Sequence, residues 1–454
     1  MTEPQTNNPK SPVSTRHERS RRPASWRAKL ALLIASVVFC LGALELGLRL
    51  VGRGPLGDGL ESRSIEATSS VPRFAEAQRA GWIPAGSTGE RLAPFPEHPL
   101  GYLEFHRDEN GLRGAAGVSL TRPNDVARIL VLGDSHAEGM VADQETFAAR
   151  LEHHLNSRLD LAGETETQES LRWQVLNGAF RRASPLQEYW AYEQAYKELD
   201  PRVVVCVFFV GNDLMDLLRS SDRIHLERES TGDWTIVNPT SATNATEDRV
   251  TWTEVIKRPF RRHSAIYRNL TDIPWLRRAV VDSTASDYRV RLEQAAAQEP
   301  GWVWQAANQL VYFAKHPEDE ATAWEQVRWI WRRWHAETEQ DQRRLVIALL
   351  PTGIQIHGEQ WSDRRAKLGE LLDLPTTSWN ELDRQYDQAL AEAQGLGVSV
   401  VDLRRAMREH IDQERAAGHE PPLLYYEIDQ HLNAAGHEFV AEELERWLRA
   451  EDTP

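Results

Sequence analysis

"VVVCVFFVGND" occupies residues 203–213 of the 454-residue chain. Eight consecutive apolar residues, five of them Val, end abruptly in Gly-Asn-Asp. The β-branched content reads as a strand, and a strand without polar alternation is buried on both faces. That is the situation of a strand inside a parallel sheet covered by helices. The Gly-Asn-Asp triplet is turn chemistry, so polar side chains gather at the carboxyl end of the strand.

Four other runs share this character: "RILVL" (128–132), "WQVLN" (173–177), "LVIALL" (345–350) and "VSVVDL" (398–403). Amphipathic stretches at 146–159, 187–199, 320–342, 379–394 and 434–449 lie between and after them. The alternation predicts an α/β fold, a three-layer α/β/α sandwich on a five-stranded parallel, flavodoxin-like sheet. Residues 219–318 are too long for a simple connection and read as a helical insertion. It includes "GWVWQAANQLVYFAKH" (301–316).

The amino terminus has a different character. Residues 1–30 hold seven Lys/Arg against two Glu, a net charge of +5, in a chain whose total is −15; the remainder is therefore −20. No basic cluster outside this tail offers a surface for nucleic acid. "LALLIASVVFCLGAL" (30–44) contains no charged residue, and continuing to Val51 gives a segment long enough to cross a bilayer. Positive charge before it keeps the tail inside the cell. The expected layout is a cytoplasmic tail (1–29), a single-pass anchor in the cytoplasmic membrane (30–51) and an extracytoplasmic stalk (52–100) rich in Gly, Pro and Ser. A domain in two parts, 101–218 and 319–450, follows on the periplasmic side. A cleaved signal peptide is the competing reading, although no small-x-small cleavage site follows the apolar run. Cys40 falls in this run behind bulky Phe39, which disfavours lipid attachment, and it cannot pair with Cys206 in the third strand.

In open α/β sheets, sites form beyond the carboxyl ends of the strands. The first strand is followed by Gly133-Asp134-Ser135, the second by Gly178-Ala179 after Asn177, and the third by Gly211-Asn212-Asp213. Beyond the fifth lies "YYEIDQHLNAAGH" (425–437). Together these supply a hydroxyl, a base, a carboxylate to orient the base and donors for an oxyanion, the inventory of nucleophilic acyl transfer.

The ordered set resembles the SGNH/GDSL hydrolase superfamily, and within it bacterial membrane-anchored members. Asn110-Gly111-Leu112-Arg113-Gly114 ahead of the first strand and the ending "DQHLNAAGH" carry the second likeness. The resemblance spans about 101–218 and 319–448. It implies Ser135 as nucleophile, His431 as base and Asp429 as the carboxylate behind it. It further implies an oxyanion hole from the Ser135 N–H, a second-block N–H and the Asn212 amide. Two features depart from the common pattern. The last pair is spaced Asp-x-His rather than Asp-x-x-His, which leaves Glu427 as an alternative carboxylate. The second block lacks Asn-x-Gly, so its donor is either Gly178 or Ala179.

Several residues have plainer readings. His136 is expected at a helix start facing solvent. Asp134 and Asp213 are expected to bond loop amides, Asn433 to cap the last helix, and His437 to sit on that helix without a chemical role. His153 and His154 are adjacent on a helix, so they point about 100° apart and form no metal site. No cofactor is implied. Trp324, Val327, Trp331 and Trp334 share one helical face, a core pattern. Trp302 and Trp304 in the insertion are the candidates for substrate contact.

The functional expectation is a membrane-anchored serine esterase acting on an acylated envelope polysaccharide or lipid. An O-acyltransferase that moves the acyl group onto an envelope polysaccharide would use the same residues, and a non-catalytic envelope-binding module is the third possibility.

Overall fold

Five parallel strands form the central sheet: β1 Val126–Leu132, β2 Arg172–Asn177, β3 Val203–Phe209, β4 Arg344–Leu350 and β5 Ser399–Asp402. In the computed structural model the described residues are 77–78, 82–84, 86–92, 95–114, 117–161, 171–218, 224–238 and 287–451. They fall in one compact unit, residues 57–248 and 284–454; residues 1–56 and 249–283 lie outside the described residues. The 30–51 segment is among the latter, and no helix of the described residues is long and apolar enough to cross a membrane.

Strand order is β2-β1-β3-β4-β5, the flavodoxin-like order expected. Register runs Ile129 to Val175, Leu130 to Val204, Val205 to Val346 and Ile347 to Val400. All seven residues of β3 are buried. Because side chains alternate across a strand, each face of β3 feeds a different apolar layer.

Val203, Val205, Val207 and Phe209 pack with α1 (Phe147–Leu161), where Leu151 and Leu155 are buried. On the opposite face Val204, Cys206 and Phe208 pack with α2 (Pro185–Gln194) and α3 (Pro317–Gln340). α4 (Asn380–Gly395) joins this second layer through Tyr386, Ala389 and Ala393. α5 (Leu403–Ala416) and α6 (Ala434–Glu451) complete the first.

Local chemistry sets the helix starts. Ser184 and Gln187 form a capping box ahead of α2, with Pro185 at its first position. α3 begins with Pro317 and carries Glu318, Asp319 and Glu320 in its first turn, where acidic groups complement the helix dipole. Its Trp324, Val327, Trp331 and Trp334 are fully or almost fully buried, and the Trp331 ring meets Phe208 edge-on at 5.1 Å. That stripe is core. Asn433 accepts from the Gly436 N–H at the start of α6, the cap expected of it.

Two regions differ from the sequence reading. Strand Ser87–Leu92 pairs antiparallel with Leu103–Arg107, so the end of the stretch read as stalk is part of the folded unit. Leu92, Phe95, Leu103 and Phe105 share a small apolar cluster with Met140, Val141 and Tyr426. Within 219–318, the described residues hold an antiparallel pair, His225–Arg228 with Trp234–Val237, besides helical segments at Asp287–Ala296 and 300–313. The insertion therefore contains strand as well as helix.

Candidate active site

The strand order reverses direction at β1, so the ends of β1 and β3 flank the natural crevice of the sheet. Ser135 follows β1 as the first residue of a one-turn helix, Ser135–Glu138. Asp134 caps that helix by accepting from the His136 N–H at 2.9 Å. Asn212 follows β3, and its Nδ2 donates to the second Asp134 oxygen at 3.2 Å. One buried carboxylate thus ties the Gly-Asp-Ser block to the Gly-Asn-Asp block.

His431 reaches the same point from the far end of the chain. Its Nε2 lies 2.8 Å from Ser135 Oγ, and its Nδ1 lies 2.5 Å from Asp429 Oδ2. The two-residue spacing works because Gln430 adopts φ +67°, turning the chain between its neighbours. Gln430 Nε2 also bonds the carbonyls of Tyr426 and Glu427, closing the loop on itself. The Glu427 carboxylate points away, 3.1 Å from Arg364 Nη2. Of the two carboxylates considered, Asp429 is the one on the imidazole.

Burial opposes charging His431, yet its pKa is raised above the usual histidine value. The charge and hydrogen bond of Asp429, with Asp134 and Glu138 behind, outweigh desolvation. Asp134 itself is pushed up by burial, partly offset by the His136 N–H, the His431 charge and Asn212. Asp213 and Glu188 are fully buried and shifted far upward, by desolvation first and then by Asp134, with Glu188 adding to the shift of Asp213 and Asp216 to that of both. Asp213 Oδ2 accepts from the Phe209 N–H at 2.7 Å, and the Cys206 thiol donates to Glu188 at 3.5 Å.

The second block is already occupied by internal bonds. The Gly178 N–H donates to the Val131 carbonyl at 2.9 Å, and the Ala179 N–H to the Asn177 side-chain oxygen at 3.1 Å. Asn177 Nδ2 in turn reaches the Ala137 carbonyl. His437 is buried on α6, where burial first and then Arg113 and His431 lower its pKa to about 3.

Two expectations are corrected. His136 does not face solvent: it is 1% exposed, stacked on Phe209 at 3.6 Å and on His431 at 4.4 Å between ring centroids. Its position after the nucleophile turns it inward under the catalytic rim, and burial holds its pKa well below the usual value. Trp302 is fully buried, donates to the Glu427 carbonyl at 2.8 Å and packs edge-on against Trp361. It supports the Asp-His loop instead of meeting substrate. Trp304 is 45% exposed.

Three supporting groups escaped the sequence reading. Glu97, in the stretch read as stalk, accepts from the backbone N–H groups of Ile428 (2.9 Å) and Asp429 (2.7 Å). Arg113, from the Asn-Gly-Leu-Arg-Gly stretch, is buried and donates to the carbonyls of Glu138, Gly139 and Val141 and to Asp143. It clamps the chain leaving the nucleophile helix. The motif was visible, but its target was not, because those carbonyls carry no side-chain signature. Gln305, in the insertion, lies 3.4 Å from His431 Nε2.

No protein-family model matches the chain, and no curated protein is significantly similar to it. Solved structures overlap it at low similarity. The acetyl xylan esterase AlAXEase is 10% identical with a TM-score of 0.34, covering 71% of this chain and 98% of its own. A lipase/acylhydrolase from Enterococcus faecalis gives 10%, 0.33, 72% and 96% for the same measures. The acetylxylan esterase Axe2 from Geobacillus stearothermophilus gives 11%, 0.33, 70% and 93%. In its four ordered sequence blocks, three directly after strands and the fourth in the loop before α6, the chain resembles the SGNH/GDSL hydrolases.

Proposed function

We propose that the chain is a serine ester hydrolase working through an acyl-enzyme on Ser135. The observation that carries this reading is the file Ser135 Oγ, His431 Nε2, His431 Nδ1, Asp429 Oδ2, with contacts of 2.8 and 2.5 Å. A serine hydroxyl is a weak nucleophile and needs a base within hydrogen-bond reach. His431 takes the Ser135 proton as Oγ bonds to the acyl carbon. The ester C–O bond then breaks, and the departing alcohol takes that proton from Nε2. Water repeats the cycle: its proton passes to His431, its oxygen bonds the acyl carbon, and Ser135 recovers its hydrogen as the carboxylic acid leaves. Asp429 keeps the proton on Nδ1 between steps, so that Nε2 presents a lone pair to Ser135.

The tetrahedral oxyanion is held by the Ser135 N–H, the Asn212 amide and the Ala179 N–H. Ala179 is preferred over Gly178 because its acceptor is a side-chain oxygen that can move aside; that of Gly178 is a strand carbonyl. Losing one such donor costs about 100- to 1000-fold in rate. The apolar 30–51 segment, read as an anchor, would hold the enzyme at the outer face of the cytoplasmic membrane, where acylated polysaccharide or lipid is the available ester.

The test is hydrolysis of p-nitrophenyl acetate by the purified full chain and by Ser135→Ala, with mass spectrometry of an acetylated peptide bearing Ser135. The wild type is expected to turn over and to acetylate transiently; equal rates for the two proteins would sink the mechanism. Offering acceptor oligosaccharide in the same assay separates hydrolysis from transfer, since transfer places the acetyl group on the sugar.

A further inference from the structure

Gln305 stands at the reacting atoms, although no strand-end motif contains it. It lies in a five-residue π-helical turn, Val303–Ala307, a geometry that occurs mostly as single turns and often at functional sites. The turn is bolted to both halves of the site. A Cβ on Gly211 would stand 1.9 Å from the Gln305 carbonyl oxygen, and one on Gly301 2.2 Å from that of Ile428. Only glycine permits either approach. Gln309, two residues beyond the turn's end, donates to the Val210 carbonyl at 2.8 Å and accepts from the Met215 N–H.

The orientation of the Gln305 amide follows from its neighbour. Gln305 Oε1 lies 3.1 Å from His136 Nε2, while His136 Nδ1 is buried without a partner among the described residues. A proton on Nδ1 would be an orphaned buried donor, the costlier arrangement. The proton therefore sits on Nε2 and donates to Oε1, which turns the Gln305 NH2 toward Ser135 and His431. That NH2 is 3.4 Å from His431 Nε2, against 2.8 Å for the Ser135 hydroxyl, so it competes weakly for the lone pair. Its donor capacity is left for substrate.

We propose that Gln305 is a specificity-determining residue for the alcohol part of the ester, its Nε2 donating to an oxygen carried beside the scissile ester oxygen. This rests on the serine mechanism above. In that mechanism the departing alcohol oxygen must come to His431 Nε2 to be protonated, so a group 3.4 Å from that atom lies against the alcohol. The favoured class is polyol esters, in which a second hydroxyl or ether oxygen neighbours the acylated one.

The test compares kcat/KM for three small esters on the full chain: 2-hydroxyethyl acetate, 2-methoxyethyl acetate and propyl acetate. The wild type is expected to favour both oxygen-bearing esters by about tenfold, the value of one neutral hydrogen bond. Gln305→Leu is expected to erase that ratio, and Gln305→Glu to keep 2-hydroxyethyl acetate, whose hydroxyl can donate, while rejecting the methoxy ester. A wild type without preference overturns the proposal. So does a Gln305→Leu variant that slows all three esters equally and shifts the acid limb of the pH profile, because it would then act only through His431. Ser135→Ala on the same esters reads the underlying mechanism separately: wild-type rates there would overturn the serine reading itself.

Discussion

Replacing Asp429 by Asn removes one charge and leaves the shape of the site nearly intact. His431 Nδ1 stands 2.5 Å from Asp429 Oδ2, so the imidazolium formed during each proton transfer faces a carboxylate directly. Opposite unit charges about 4 Å apart attract by about 4 kcal/mol at the effective dielectric of a protein surface, and spreading over ring and carboxylate makes that the relevant scale. At 1.36 kcal/mol per tenfold, this amounts to about three decades of rate. The Asp429 side chain is 32% exposed and partly screened by water, which lowers the expected loss in kcat/KM to about 100- to 1000-fold.

A pH profile adds an independent check. His431 must be neutral to accept the Ser135 proton, so activity rises as pH passes upward through its raised pKa. Without Asp429 the burial that opposes charging remains and its main counterweight is gone. The acid limb should then move to lower pH as the plateau falls. The assay is p-nitrophenyl acetate hydrolysis across pH 4 to 9, with Glu427→Gln alongside. That neighbour, paired to Arg364, should cost less than about threefold. A loss below tenfold for Asp429→Asn, or an acid limb that stays in place, would refute the assignment.

Two further outcomes are expected. Burial raises the Glu188 pKa well above its unfolded value, so its contribution to stability is present below the unfolded pKa and lost as pH rises through the folded one. Glu188→Gln should therefore raise the thermal midpoint relative to wild type at pH 7 and change it little at pH 4; the reverse order in calorimetry contradicts the raised pKa. Arg113→Lys keeps a charge but cannot span the carbonyls of Glu138, Gly139 and Val141. It is expected to lower kcat at least tenfold with little change in KM, and to cost about 3 kcal/mol of stability in urea titration, because buried carbonyls lose their donor.

The sheet could be read from the chain because its information is local. β3 is apolar at all seven positions, and such a segment has few alternatives to a strand covered on both faces. The same holds for the turn residues after β1 and β3, whose backbone preferences act within two or three positions. Turn chemistry marked Ser135 and Asn212 as strand-end residues, and the resemblance to SGNH/GDSL hydrolases supplied their roles together with Asp429 and His431. Their mutual distances could not be read, since 296 positions separate Ser135 from His431 and only the strand order brings their loops to one rim.

Groups whose partners are backbone atoms of distant segments were beyond sequence reading. Glu97 bonds two amides more than 300 positions away, and Arg113 bonds carbonyls that any residue type supplies. His136 and Trp302 were misplaced for a related reason. Solvent exposure at a helix start or in an insertion depends on what packs above it, here the Asp-His loop and the π-helical turn that carries Gln305. Pattern and turn chemistry determined which elements form and which polar residues end them. Long-range packing alone decided which of those residues share a proton, because that depends on contact between segments that no local preference encodes.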